Sequence, residues 1–179
     1  IDPDDIISAI HKVIKGGMYI DSSIISTALN MDEDLEKPEI PNILFTKLHR
    51  PPLTPDIIIR PRIIDLLERN IEKPFSLISA PAGYGKSMAV SMWLEQTKAL
   101  HTWFSLDDDH NDLRIFLQYF QAAIEKLFPG SLEKTTGLLQ AAKLPDTRGI
   151  ALILINDLDR IEHDFILVLD DYHCIHEKE

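Results

Sequence analysis

The 179-residue sequence has one cysteine, Cys174, so an internal disulfide framework is excluded and a reducing compartment, the cytoplasm, is expected. It has no excess of basic residues. The net charge of −11 leaves no general nucleic-acid footprint and makes a DNA-binding role for these residues unexpected. It lacks an apolar run of the roughly 20 residues that a membrane-spanning helix needs. It also lacks a basic leader, because it opens on the acidic Ile-Asp-Pro-Asp-Asp without an initiator methionine, and it reads as an excised segment. Internal repeats and low-complexity tracts are absent. What remains, 45% hydrophobic and 26% charged, suffices for one globular domain plus a shorter piece.

The shorter piece lies at the start. Ile6, Ile7, Ile10, Val13 and Ile14 keep helical spacing over residues 5–15, and Gly16-Gly17 stop it. A second short helix is expected over residues 22–29. Residues 31–42, MDEDLEKPEIPN, are acidic, carry two prolines and have no period, and so read as a linker.

From residue 43 the pattern changes. HRPPLTPD (49–56) is expected to be extended, because each proline pushes its predecessor out of the helical region. Pro61 suits the first turn of a helix to about Asn70, with Ile63, Ile64, Leu66 and Leu67 facing its core. Strands and helices then alternate. Strands are predicted at 75–79, 101–106 and 165–169. Helices are predicted at 86–98, 112–127, 131–144 and 147–161. The last helix is apolar nearly all round and is expected to be deeply buried, and strand 165–169 to be covered on both faces. This alternation argues an α/β fold with a parallel sheet and crossover helices. Trp93, Trp103, Phe104, Phe116 and Phe120 fall at core positions.

The chemistry concentrates in FSLISAPAGYGKSMAVSMWL, residues 75–94. A strand, the loop A-P-A-G-Y-G-K-S and a helix follow one another, which is the context a phosphate-binding loop, or Walker A motif, requires. Gly83 and Gly85 can take backbone angles that turn amides inward and admit an anion closely. The helix starting near Lys86 aims its free N–H groups and positive dipole end at the same spot. Ala82 to Ser87 would thus cradle a nucleotide, with Tyr84 inside the loop. Lys86 would reach the β- and γ-phosphates, and Ser87 would offer its hydroxyl to Mg²⁺. Ala80 stands where the common pattern has its first glycine. The competing reading is an ordinary strand-to-helix turn.

A second block is FILVLDD, 165–171, an apolar strand ending in two carboxylates, as a Walker B motif does. In open α/β sheets ligands bind at the carboxyl ends of the strands. Asp170 would hold Mg²⁺, and Asp171 would orient or activate a water for hydrolysis. Arg60 and Arg62 precede the loop and are candidates for nucleotide contact, against a reading as solvated surface. A zinc site from Asp170, Asp171, His173, Cys174 and His176, and a calcium loop from Asp107 to Asp109, are both disfavoured against a polar turn.

Four blocks in order, LFTKLHRPPLTPDIIIRPRIIDLLE, LISAPAGYGKSMAVSMWL, WFSLDDDHNDLRIFLQYFQAAI and FILVLDDYHCI, resemble the MalT-like, LuxR-class regulators. These are signal-transduction ATPases with numerous domains (STAND). The resemblance covers about residues 43–176. It implies the N-terminal part of a P-loop ATPase domain over 43–179, with ATP or ADP and Mg²⁺ as cofactors and slow regulatory hydrolysis. It implies a switch between an ADP-bound resting form and an ATP-bound form that self-associates. An inducer and DNA would be bound only through domains absent from these residues. It also implies that Arg60 and Arg62 lie near the adenine. The sheet would be incomplete, with 75–79 as an exposed edge and an isolated chain prone to stick. Residues 1–30 resemble the last helix and exit of a NarL-type response-regulator receiver domain. Two readings from other classes stay open: a metabolic P-loop kinase, in which Asp171 activates a substrate hydroxyl, and a receiver-linked interaction module with a degenerate nucleotide site.

Overall fold

A computed structural model describes residues 43–55 and 58–176. The helices expected at 5–15 and 22–29, the receiver-like remnant and the linker at 31–42 lie outside the described residues. Among the described residues are five α-helices and two strands, beside three short 3-10 turns: α1 Pro61–Arg69, α2 Lys86–Gln96, β1 Leu100–Ser105, α3 Leu113–Glu125, α4 Glu133–Gln140, α5 Thr147–Leu158 and β2 Phe165–Asp170. No helix among these residues is long and apolar enough to cross a membrane.

Local chemistry sets the boundaries. Pro61 opens α1 at a position whose N–H has no helical partner in any case. Asp112 starts α3 by accepting from Arg114 N at 2.9 Å and Ile115 N at 3.1 Å. Gly130, at φ +79°, takes the turn beyond it. Asp146 starts α5 by accepting from Gly149 N at 3.0 Å.

The α/β class with a parallel sheet is observed. β1 and β2 pair in parallel from Leu100↔Phe165 to Ser105↔Asp170. Because successive strand residues face opposite ways, the sheet divides two cores. Phe104, Phe165, Leu167 and Leu169 join α3, α4 and α5 on one side. Trp103, Ile166 and Val168 join α1 and α2 on the other. Phe104 is fully buried, and its truncation to alanine would cost about 3–5 kcal/mol. Trp93, Trp103 and Phe120 are buried as expected, and Phe116 packs half-buried against the same core.

Four expectations need correction. Residues 75–79 do not form a strand: among the described residues the sheet has two strands and this segment is neither of them, with Leu77 72% exposed and Ile78 packed into a core. An apolar run becomes a strand only with a hydrogen-bonded neighbour, and β2 lies beside β1 with no strand on its other edge among the described residues. That open edge also leaves all of β2 half-buried, not covered. Helix α5 buries only Ile150, Leu154 and Asp157, because it packs on one side alone. In α1, Ile64 and Leu67 face the core, while Leu66 points outward at 57% exposure.

Candidate functional site

The loop Ala80–Gly85 joins this segment to α2. Gly83 and Gly85 sit at φ +80° and +71°, the left-handed region, and Gly85 is the residue from which α2 starts. A Cβ on either would meet nothing within 4 Å, so the backbone conformation, not lack of space, calls for glycine. No side chain caps α2. Its first-turn N–H groups and dipole end therefore face the loop. Tyr84 is exposed, and its N–H closes a turn on the Pro81 carbonyl at 3.4 Å.

Lys86 folds back over this loop. Its ammonium donates to the Ala80 carbonyl at 2.9 Å and the Pro81 carbonyl at 3.4 Å. A cation held by two neutral carbonyls is held loosely, and an incoming phosphate oxygen would be the stronger partner.

Ser87 faces the sheet. Its hydroxyl donates to Asp170 Oδ1 at 2.8 Å, although 83 residues separate them. Asp170 ends β2 in register with Ser105, and its own Oδ1 also accepts from Asp171 N at 3.1 Å. Burial pushes the Asp170 carboxyl above its ordinary value. The Asp171 charge pushes the same way, while the Ser87 hydroxyl, the Asp171 N–H and the Lys86 ammonium pull it down. A cation beside Asp170 would remove that penalty. A hydroxyl and one carboxylate suit Mg²⁺, which uses few protein ligands and takes the rest from phosphate and water. The residues present therefore fit a magnesium–nucleotide pair.

Asp171 is the one non-glycine residue with positive φ among the described residues, at φ 56° and ψ 34°. Its carboxylate is exposed, 3.8 Å from His173 Nδ1. Non-glycine residues in this conformation gather at functional sites. The structure thus brings together Lys86, Ser87 and Asp170, while Asp171 joins them through its backbone N–H and its carboxylate lies by His173. Arg60 and Arg62 are exposed at the start of α1, and among the described residues neither side chain makes a hydrogen bond or ion pair. The acidic run is a structural turn: Asp107 caps Asp108–Asn111 reciprocally with His110 and pairs with Lys47.

Two participants carry no motif. Asn111 clamps the chain leaving β2, donating to the Cys174 carbonyl at 2.9 Å and accepting from His176 N at 2.7 Å. Ser91 is fully buried in α2 and bonded to the segment 50–51. Its one sequence signal is a lone polar residue inside an apolar helix.

No family model matches the chain. Among curated proteins it is similar to the HTH-type transcriptional regulator MalT of Vibrio campbellii, 31% identical over 134 residues. That match covers 75% of this chain and 15% of the relative. MalT of Vibrio cholerae and MalT of Yersinia pestis are each 31% identical over 133 residues, 74% of this chain. The chain spans about 15% of the length of the curated relatives it matches.

Proposed function

Because a region of MalT-like sequence makes up three quarters of this chain, we propose that residues 43–176 form the nucleotide-binding part of a transcriptional regulator of that kind. The observation that carries the reading is the 2.8 Å bond from Ser87 to Asp170, which joins the start of the loop helix to the carboxylate end of β2. In this reading the α2 amides and Lys86 bind the β- and γ-phosphates of ATP, or the β-phosphate of ADP. Ser87 and Asp170 hold Mg²⁺, which supplies charge neutralisation of the phosphates when bound. Asp171, held at the strand end by its left-handed backbone, orients a water for slow hydrolysis. Arg60 and Arg62 face the nucleotide's entrance.

Hydrolysis of this kind resets a switch. The ATP state favours self-association of the whole regulator in the cytoplasm, and the ADP state is the resting one. A small-molecule inducer and DNA engage other parts of that regulator. Its remaining length also supplies the strands that residues 75–79 and the open edge of β2 lack.

Calorimetry of ATP-Mg²⁺ and ADP against the chain and its Lys86→Ala variant tests the reading. Loss of affinity of about 10–100-fold in a folded variant supports it. Equal absence of binding in both folded proteins contradicts it. Transfer of phosphate to an added acceptor hydroxyl, with little release to water, would instead mark a kinase.

A further inference from the structure

We propose that Arg50 is a positioning residue for the phosphate site, acting through Ser91 on helix α2. The inference rests on the nucleotide-binding reading above.

Ser91 lies at the middle of α2 with no exposed surface, so its polar atoms must find partners within the protein. It finds them in the segment that precedes α1. Its hydroxyl donates to the Pro51 carbonyl at 2.7 Å. Arg50 Nη1 donates to the Ser91 carbonyl at 2.8 Å and lies 3.4 Å from the Ser91 hydroxyl. The other arm of the guanidinium, Nη2, pairs with Glu95, one turn further along the same helix. The planar fork of arginine makes these contacts in one fixed orientation, which an ammonium cannot do.

The segment that carries Arg50 is itself riveted to the opposite core. Leu44 N donates to the Tyr119 hydroxyl at 3.0 Å, Lys47 pairs with Asp107, Leu48 is 2% exposed, and Lys126 donates to the Leu48 carbonyl at 3.1 Å. Arg50 thus ties α2 to α3 and to the turn after β1.

Ser87 lies four residues before Ser91, on the same side of the helix and about 6 Å away along its axis. A helix this short moves as a unit. Release at Ser91 shifts the first turn, where Lys86 and the Ser87–Asp170 bond are. Only the second of these depends on register with β2, so the loss falls on the contribution of Mg²⁺.

The test compares ATP affinity with and without Mg²⁺ in the full chain, its Arg50→Ala variant and its Ser91→Ala variant, with thermal melts of each. In the wild type Mg²⁺ raises the affinity. In Arg50→Ala that gain is expected to fall by about 10-fold, well below the melting temperature. In Ser91→Ala, which keeps the carbonyl contact, it falls by about 2–3-fold. Should Arg50→Ala fail to fold, Ser91→Ala decides alone. A lowered melting temperature with an unchanged Mg²⁺ gain would show that the contact only stabilises, and would overturn the proposal while leaving the nucleotide site intact. A wild type that binds no nucleotide overturns the site reading and this inference with it.

Discussion

Ser87 and Asp170 stand 83 residues apart in the chain and 2.8 Å apart in space. One begins the helix after a glycine loop, and the other ends a parallel strand. Their bond fixes the loop helix against the sheet at the point where charged groups converge. It also holds a carboxylate that burial makes costly to ionise. The consequences for conformation, stability and binding can be measured separately.

Gly85→Ala tests the loop conformation. Gly85 is at φ +71°, and a methyl there would meet open space. The variant is expected to lose about 1–2 kcal/mol of stability from the left-handed backbone alone, read as a lower urea midpoint. Nucleotide affinity should fall further, because relaxation of the backbone turns amides away from the phosphate site.

Asp171→Gly separates strain from chemistry. At φ 56° aspartate is tolerated and glycine is at ease. The variant is expected to match or exceed the parent in stability, by up to about 1 kcal/mol. It should bind nucleotide and fail to hydrolyse it, as a single-turnover assay with labelled ATP would record. Hydrolysis at the parent rate would remove Asp171 from the proposed role.

Asp170→Asn is expected to raise the melting temperature of the nucleotide-free chain by about 1–3 °C, because it removes a half-buried charge while leaving an acceptor for Ser87. The same variant should lose the effect of Mg²⁺ on ATP binding. A variant that melts lower and keeps its Mg²⁺ dependence would contradict both statements.

The loop, the helix that follows it and the carboxylate strand were all legible in the sequence, because each is a local pattern. So was the α/β class, from alternation alone. Residues 75–79 have the composition of a strand and are outside the sheet, since an apolar run records a readiness to pair and not the presence of a neighbour. For the same reason β2 has the composition of a covered strand and remains half-buried. Helical spacing puts Leu66 on the core side, yet the apolar stripe of α1 is wider than the surface it meets, and Leu66 falls beyond it. The grip of Arg50 on Ser91 left no local signature, because it joins residues 41 apart through a backbone carbonyl.

Acid should weaken the fold through His110. It is 2% exposed, edge-on to the rings of Phe104 and Tyr119. Burial holds its imidazole below the ordinary 6.5; the Asp107 carboxylate opposes this, and the Lys47 ammonium adds to it. The unfolded chain therefore binds the proton more readily, and stability falls as pH drops through about 6.5, by at most about 1.4 kcal/mol per pH unit. Urea midpoints between pH 7.5 and 5.5 should show this slope, and His110→Gln should flatten it.

The most direct measurement is the ³¹P spectrum of ATP-Mg²⁺ titrated with the chain. The β- and γ-phosphate resonances are expected to shift or broaden with the wild type and to stay put with folded Lys86→Ala. Resonances that do not move with either protein would contradict a phosphate site at Ala80–Ser87.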